Sequence, residues 1–146
     1  MNDLRIEPVT GEVLVRDWRH VHNLIIPTDP LSLDEVRERS GINRLEVAYL
    51  GDVLVGCSTV RPPAGAQAVA TVIARVLPAH RGRGFGAAIY ERGLAVAREL
   101  GAGAVETIVL ASNVDGVRFA QRHGFTEVSS ELLPGDTIPY LTLRLG

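Results

Sequence analysis

The sequence holds a single cysteine, Cys57, so no internal disulfide can form and nothing asks for an oxidising compartment. No N-terminal apolar run has the form of a signal peptide, and no stretch is long enough to cross a bilayer. The cytoplasm is therefore the expected location. Excess charge is also missing. A net charge of −2 provides no broad basic surface, so neither nucleic acid nor a membrane is an expected partner. There is no repeat, low-complexity block or linker. With 146 residues, 46% of them hydrophobic, the chain reads as one domain over residues 1–146 with a substantial core.

What the chain does have is a cluster of glycines between two patterned segments. The apolar run Ala68 to Leu77 reads as a buried strand, and Pro78 ends it because proline has no N–H for the ladder. Gly82, Gly84 and Gly86 then alternate with Arg83 and Phe85. Beyond them Phe85, Ile89, Gly93, Val96 and Leu100 fall on one helical stripe. A strand, a glycine loop and a helix make an anion holder. The first helical N–H groups lack partners, the helix dipole adds positive charge there, and glycines let a bulky anion approach. Arg81 and Arg83 add guanidinium groups that pair with phosphate oxygens. Residues Arg81 to Ala87 are thus a candidate phosphate or pyrophosphate site.

Three glycine loops compete for this stretch. The ATP-type loop fails because Ala87 and Ala88, not Lys and Ser/Thr, follow Gly86. The dinucleotide fingerprint matches Gly82-x-Gly84-x-x-Ala87, with Glu106 at about the right distance, but Val109 and Leu110 continue the strand past that acid. The third pattern, Arg/Gln-x-x-Gly-x-Gly/Ala, is met by Arg81-x-x-Gly84-x-Gly86 at every position. It resembles motif A of the GNAT superfamily of N-acetyltransferases. Asn113, followed by a helical segment and Gly124-Phe125, resembles the family's pattern after the fifth strand.

The remaining chain fits the order that resemblance implies. Leu4 to Val9 suggests a first strand, and Leu14, Trp18, Val21 and Ile25 a helix over 11–25. Ser32-x-x-Glu35 is a capping box for a second helix from Leu33 to near Gly41. Leu45–Leu50 and Val53–Val60 read as a hairpin around Gly51-Asp52, with Pro62-Pro63-Ala64-Gly65 as the next turn. Ala104–Leu110 fits a buried strand, and Ser112-x-x-Asp115 is a capping signal for a helix over 114–123. Phe125–Val128 and Thr137–Leu145 close the chain as strands. The expected fold is α/β: a mixed, mostly antiparallel sheet with helices on both faces.

The resemblance implies acetyl-coenzyme A as cofactor and an amine, on a small molecule or a peptide, as acceptor. It places Val76, Leu77, Arg81, Gly82, Arg83, Gly84, Phe85, Gly86, Ala87 and Asn113 on the coenzyme, with the strand end near Val76 polarising the thioester carbonyl. Asn113 could equally cap the following helix. Many members quench the thiolate with a tyrosine seven residues after that asparagine, which is Ala120 here. Ser112 or a water could serve instead. A base is hard to find, because Ala68–Leu77 contains no Asp, Glu or His. Glu106 is the nearest acid, and a solvent-facing strand residue is its plain alternative. His20 and His22 read as surface histidines of an amphipathic helix, and Cys57 and Trp18 as core. An acyl-coenzyme A-binding module without transferase activity, and a small nucleotide-binding oxidoreductase, are rival readings. A homodimer is open as an assembly.

Overall fold

The computed structural model describes residues 4–146. Strand β1 (Leu4–Pro8) leads into helices α1 (Glu12–Ile25) and α2 (Leu33–Ser40). Strands β2 (Arg44–Leu50), β3 (Val53–Ala64) and β4 (Val69–Val76) follow, then a short 3-10 turn over Pro78–His80 and helix α3 (Phe85–Glu99). Strand β5 (Ala104–Leu110), helix α4 (Val114–Arg122) and strands β6 (Phe125–Glu131) and β7 (Tyr140–Leu145) complete the fold. The seven described strands form one sheet in the order β1-β2-β3-β4-β5-β7-β6. Every pairing is antiparallel except β4–β5.

That one parallel seam organises the molecule. It holds only three residue pairs, Val69–Ala104, Ala70–Val105 and Thr71–Glu106, after which the strands part. Helices cover both faces. Val15, Trp18 and Val21 of α1 and Val36 of α2 pack on Leu45, Val47 and Cys57. The Trp18 ring is 1% exposed and its indole N–H donates to the Ser58 carbonyl at 3.0 Å, so truncation to alanine would cost about 3–5 kcal/mol. On the opposite face Tyr90, Val96 and Ala97 of α3 join Val72 of β4, Ala120 of α4 and Phe125 of β6. Arg92 of α3 reaches Glu46 of β2 at 3.1 Å, and Arg44 meets the same buried carboxylate at 2.9 Å. The Arg92–Glu46 pair ties α3 to β2.

Local chemistry explains where expectation and structure part. The capping box forms as read, with Ser32 Oγ accepting from the Glu35 N–H and the Glu35 carboxylate from that of Ser32. Helix α4, however, is capped by Asn113, whose Oδ1 accepts from the Gly116 N–H at 3.0 Å, and not by Ser112. Pro62 and Pro63 are not a turn. They lie inside β3 where the register with β4 slips between Arg61 and Ala64, a bulge that needs no N–H from either proline. The last strand begins at Tyr140, later than Thr137. Leu100 leaves the buried stripe of α3 and is 48% exposed, because the helix ends at Glu99.

Candidate active site

Helix α3 starts on Gly84, whose φ of +83° is left-handed, and no side chain caps it. Gly82, at φ +77°, shares that conformation, which side-chain-bearing residues resist. The first N–H groups of α3 therefore open onto the surface with the positive end of the helix dipole behind them. A Cβ built on Gly82 or Gly84 meets nothing within 4 Å, so a concavity lies in front of the loop. Arg81 is held beside it by a bond from Nε to the Val76 carbonyl at 2.9 Å.

From this cradle a cleft of about 640 Å³ runs into the gap between β4 and β5. One wall is Ile73 to Val76 and the other Thr107 to Leu110, with Tyr90, Phe119 and Ala120 behind and His80, Arg118 and Arg122 also lining it. The Leu77 N–H bonds the Val55 carbonyl at 2.9 Å, so alternation along the antiparallel ladder turns the backbone groups of Ala74 and Val76 toward β5. Since β5 pairs no further than Thr71–Glu106, those groups face the gap, except the Val76 carbonyl, which Arg81 takes. A strand edge in an apolar slot is suited to a polar chain of amides.

The residues fit a long anionic thioester. The glycine concavity has room for a pyrophosphate. Two buried polar atoms among the lining residues, the Tyr90 hydroxyl and His80 Nδ1, have no partner. A ligand in the gap would be the natural source of their missing hydrogen bonds.

Of the residues expected on the coenzyme, Val76, Arg81, Gly82, Gly84, Phe85, Gly86, Ala87 and Asn113 line this cleft. Leu77 does not; it packs against the core under α1. Phe85 buries its ring among Ala48, Val55 and Ile89, so only its backbone reaches the loop. Arg83 is outside the lining, with its guanidinium 4.9 Å from the centre of the Phe85 ring. Gly86 has a packing reason of its own, since a Cβ there would sit 3.2 Å from the Phe119 ring.

Neither catalytic candidate lines the cleft. Glu106 is bound to Arg144 through Oε2 at 2.6 and 3.0 Å and lies outside the cleft lining. Its carboxylate joins β5 to β7. Ser112 is exposed in the turn before α4 and does not line the cleft either. His22 is no surface histidine. It is 4% exposed, stacks on Trp18 at 5.2 Å, and its Nε2–H donates to the Asp29 carbonyl at 3.0 Å. Burial, aided by the Arg75 charge, lowers its pKa from 6.5 to about 4. His20 is exposed as expected.

Two lining residues escaped the sequence reading. Tyr90 stands in α3 with its ring 6.0 Å from Phe119 and in the same cluster as Ala120, the family's tyrosine position. Burial raises its pKa above the usual 10, so the phenol is a protonated donor. Periodicity hid it, because an aromatic beside Ile89 looks like core. Arg75 is the one charge in the run Ala68–Leu77 and does not figure among the expected site residues.

A split sheet with a glycine cradle at one end of the split is the architecture of an acyltransferase that takes its acyl group from a coenzyme A thioester. The model of the acetyltransferase (GNAT) family matches residues 13–125. The chain belongs to that family. A Salmonella typhimurium protein solved with its cofactor acetyl-CoA is 16% identical, with 99% of this chain and 94% of that one covered and a TM-score of 0.75. A Bacillus subtilis acetyltransferase in complex with CoA is 21% identical, with 98% of each chain covered and a TM-score of 0.73. A nourseothricin acetyltransferase is 31% identical over 71% of this chain and 65% of that one, with a TM-score of 0.64. No curated protein matches the chain.

Proposed function

We propose that the chain moves an acetyl group from acetyl-coenzyme A to the amine of a small-molecule or peptide acceptor, by direct attack in a ternary complex. The observation that carries this reading is the continuity of the Gly82–Ala87 cradle with the gap between β4 and β5. The cradle and Arg81 hold the pyrophosphate, and the open edge at Ala74 and Val76 holds the amide arm. Coenzyme A supplies an activated thioester, whose C–S bond is exchanged for a C–N bond as the thiol departs.

Direct attack is favoured because the lining contains no cysteine or serine. Cys57 is buried outside the cleft and its thiol is pushed up to about 12, so it offers no thiolate. The backbone N–H of Val76 or Ala74 is a fixed donor toward the gap, where a thioester oxygen gains charge. Tyr90 is the protonated phenol on the wall where the family's tyrosine is replaced by Ala120.

Incubation with acetyl-coenzyme A and a panel of amines, amino acids and antibiotics, nourseothricin included, tests the proposal. Thiol release and product mass are the readouts. The sequence contains no lysine, so the chain's own side chains cannot add lysine acetylation as background. Acceptor-dependent release supports the reading. Tight coenzyme binding without release from any acceptor would favour the acyl-coenzyme A-binding module, which Ala120 keeps in view.

A further inference from the structure

The cleft has a second end, and its charge is unusual. Arg75 lies on β4 beyond the last β4–β5 pair and opposite Cys57 in the register with β3. Cys57 belongs to the cluster under α1 and α2, so Arg75 shares that face of the sheet, away from α3. Ile25 and Ile26, from the end of α1, line the same cleft. Arg75 thus stands between the coenzyme groove and the α1–α2 side.

No carboxylate meets it. The ion pairs among the described residues use Arg5, Arg37, Arg44, Arg92 and Arg144, and none uses Arg75, Arg61 or Arg39. The Cys57 thiol, opposite Arg75 in the register, offers it only a weak partner. Arg61 acts on Arg75 as a second positive charge, and Arg39 acts on Arg61. Burial lowers the Arg75 pKa, but a guanidinium stays protonated in a protein. Arg75 is half-buried, and a partly desolvated cation without a counter-ion pulls more strongly on an arriving anion than one in bulk water.

We propose that Arg75 receives the anionic group of the acceptor, and that the acceptor is a small amine carrying a carboxylate or a similar oxyanion. This deepens the proposed transferase reading and rests on it. The coenzyme's own phosphates are not the answer, since their cradle lies past Pro78 at the start of α3, on the other face. A polycationic acceptor is disfavoured by the same field. A forked guanidinium also suits a carboxylate better than a lysine would.

The test compares each standard amino acid with its own carboxamide, which keeps the amine and removes the anion. Calorimetry measures binding with and without coenzyme A, and thiol release measures turnover. The free acids should bind and turn over at least ~10-fold better than the amides, as a site with an unpaired polar group discriminates. Arg75→Gln should erase that preference, and Arg75→Lys should restore part of it. Equal binding of acid and amide to the wild-type protein overturns the proposal, and that comparison needs no variant. An acid preference that survives in a folded Arg75→Gln overturns it too. Because acid binding is read without turnover, loss of coenzyme binding alone would sink the transferase reading and leave this comparison intact.

Discussion

His22 makes stability depend on pH in a calculable way. The ring is buried against Trp18 and binds a proton only near pH 4, while the unfolded chain binds one near 6.5. Between those values the unfolded state carries more protons, so stability falls as pH drops. Nothing is lost above 6.5, and the loss is complete below about 4. At 1.36 kcal/mol per unit the whole window amounts to about 3 kcal/mol, a large part of the ~5–15 kcal/mol that holds a typical domain. The assay is urea unfolding at a series of pH values from 7.5 to 4, for wild type and for His22→Gln. Glutamine keeps an N–H donor for the Asp29 carbonyl but takes up no proton. The wild type should lose about 3 kcal/mol more than the variant across the window. Parallel pH curves for the two proteins would refute the reasoning, whatever their absolute stabilities.

Three further results are expected. Gly84→Ala should lower coenzyme affinity at least ~10-fold with a stability cost of only about 1–2 kcal/mol, because its Cβ enters open space at a left-handed φ. Gly86→Ala should instead cost stability, about 1–3 kcal/mol, by pressing on the Phe119 ring; calorimetry and thermal melts on both variants separate the effects. Glu106→Gln should leave the rate of thiol release and its pH profile near wild type, because its carboxylate serves Arg144; a ~100-fold loss would return it to the role of base.

The sequence was most informative where one residue type has one physical meaning. The glycine loop and the Ser32–Glu35 box each named their structure. Element order and sheet class followed, since short loops leave few topologies. Reading failed where partners are distant in sequence. Nothing near Glu106 announces Arg144, and nothing near His22 announces the Asp29 carbonyl. Of the two caps offered for α4, Ser112 and Asn113, the structure takes Asn113, a choice between adjacent residues that spacing alone cannot make. Tyr90 and Arg75 took on meaning once β4 and β5 were seen to separate.

The three-pair seam also bears on motion. It joins a block of β1 to β4 to a block of β5 to β7, and little else in the sheet crosses between them. A seam that short opens more readily than the antiparallel ladders on either side, so hydrogen exchange should report the two blocks as separate units. A ligand threaded through the gap touches both blocks, and it stabilises only the state in which they are apposed. Coenzyme binding would then slow exchange on the far strands β6 and β7 as well as at the loop it contacts. The cleft that admits the substrate is, by the same geometry, the most weakly laddered seam of the sheet.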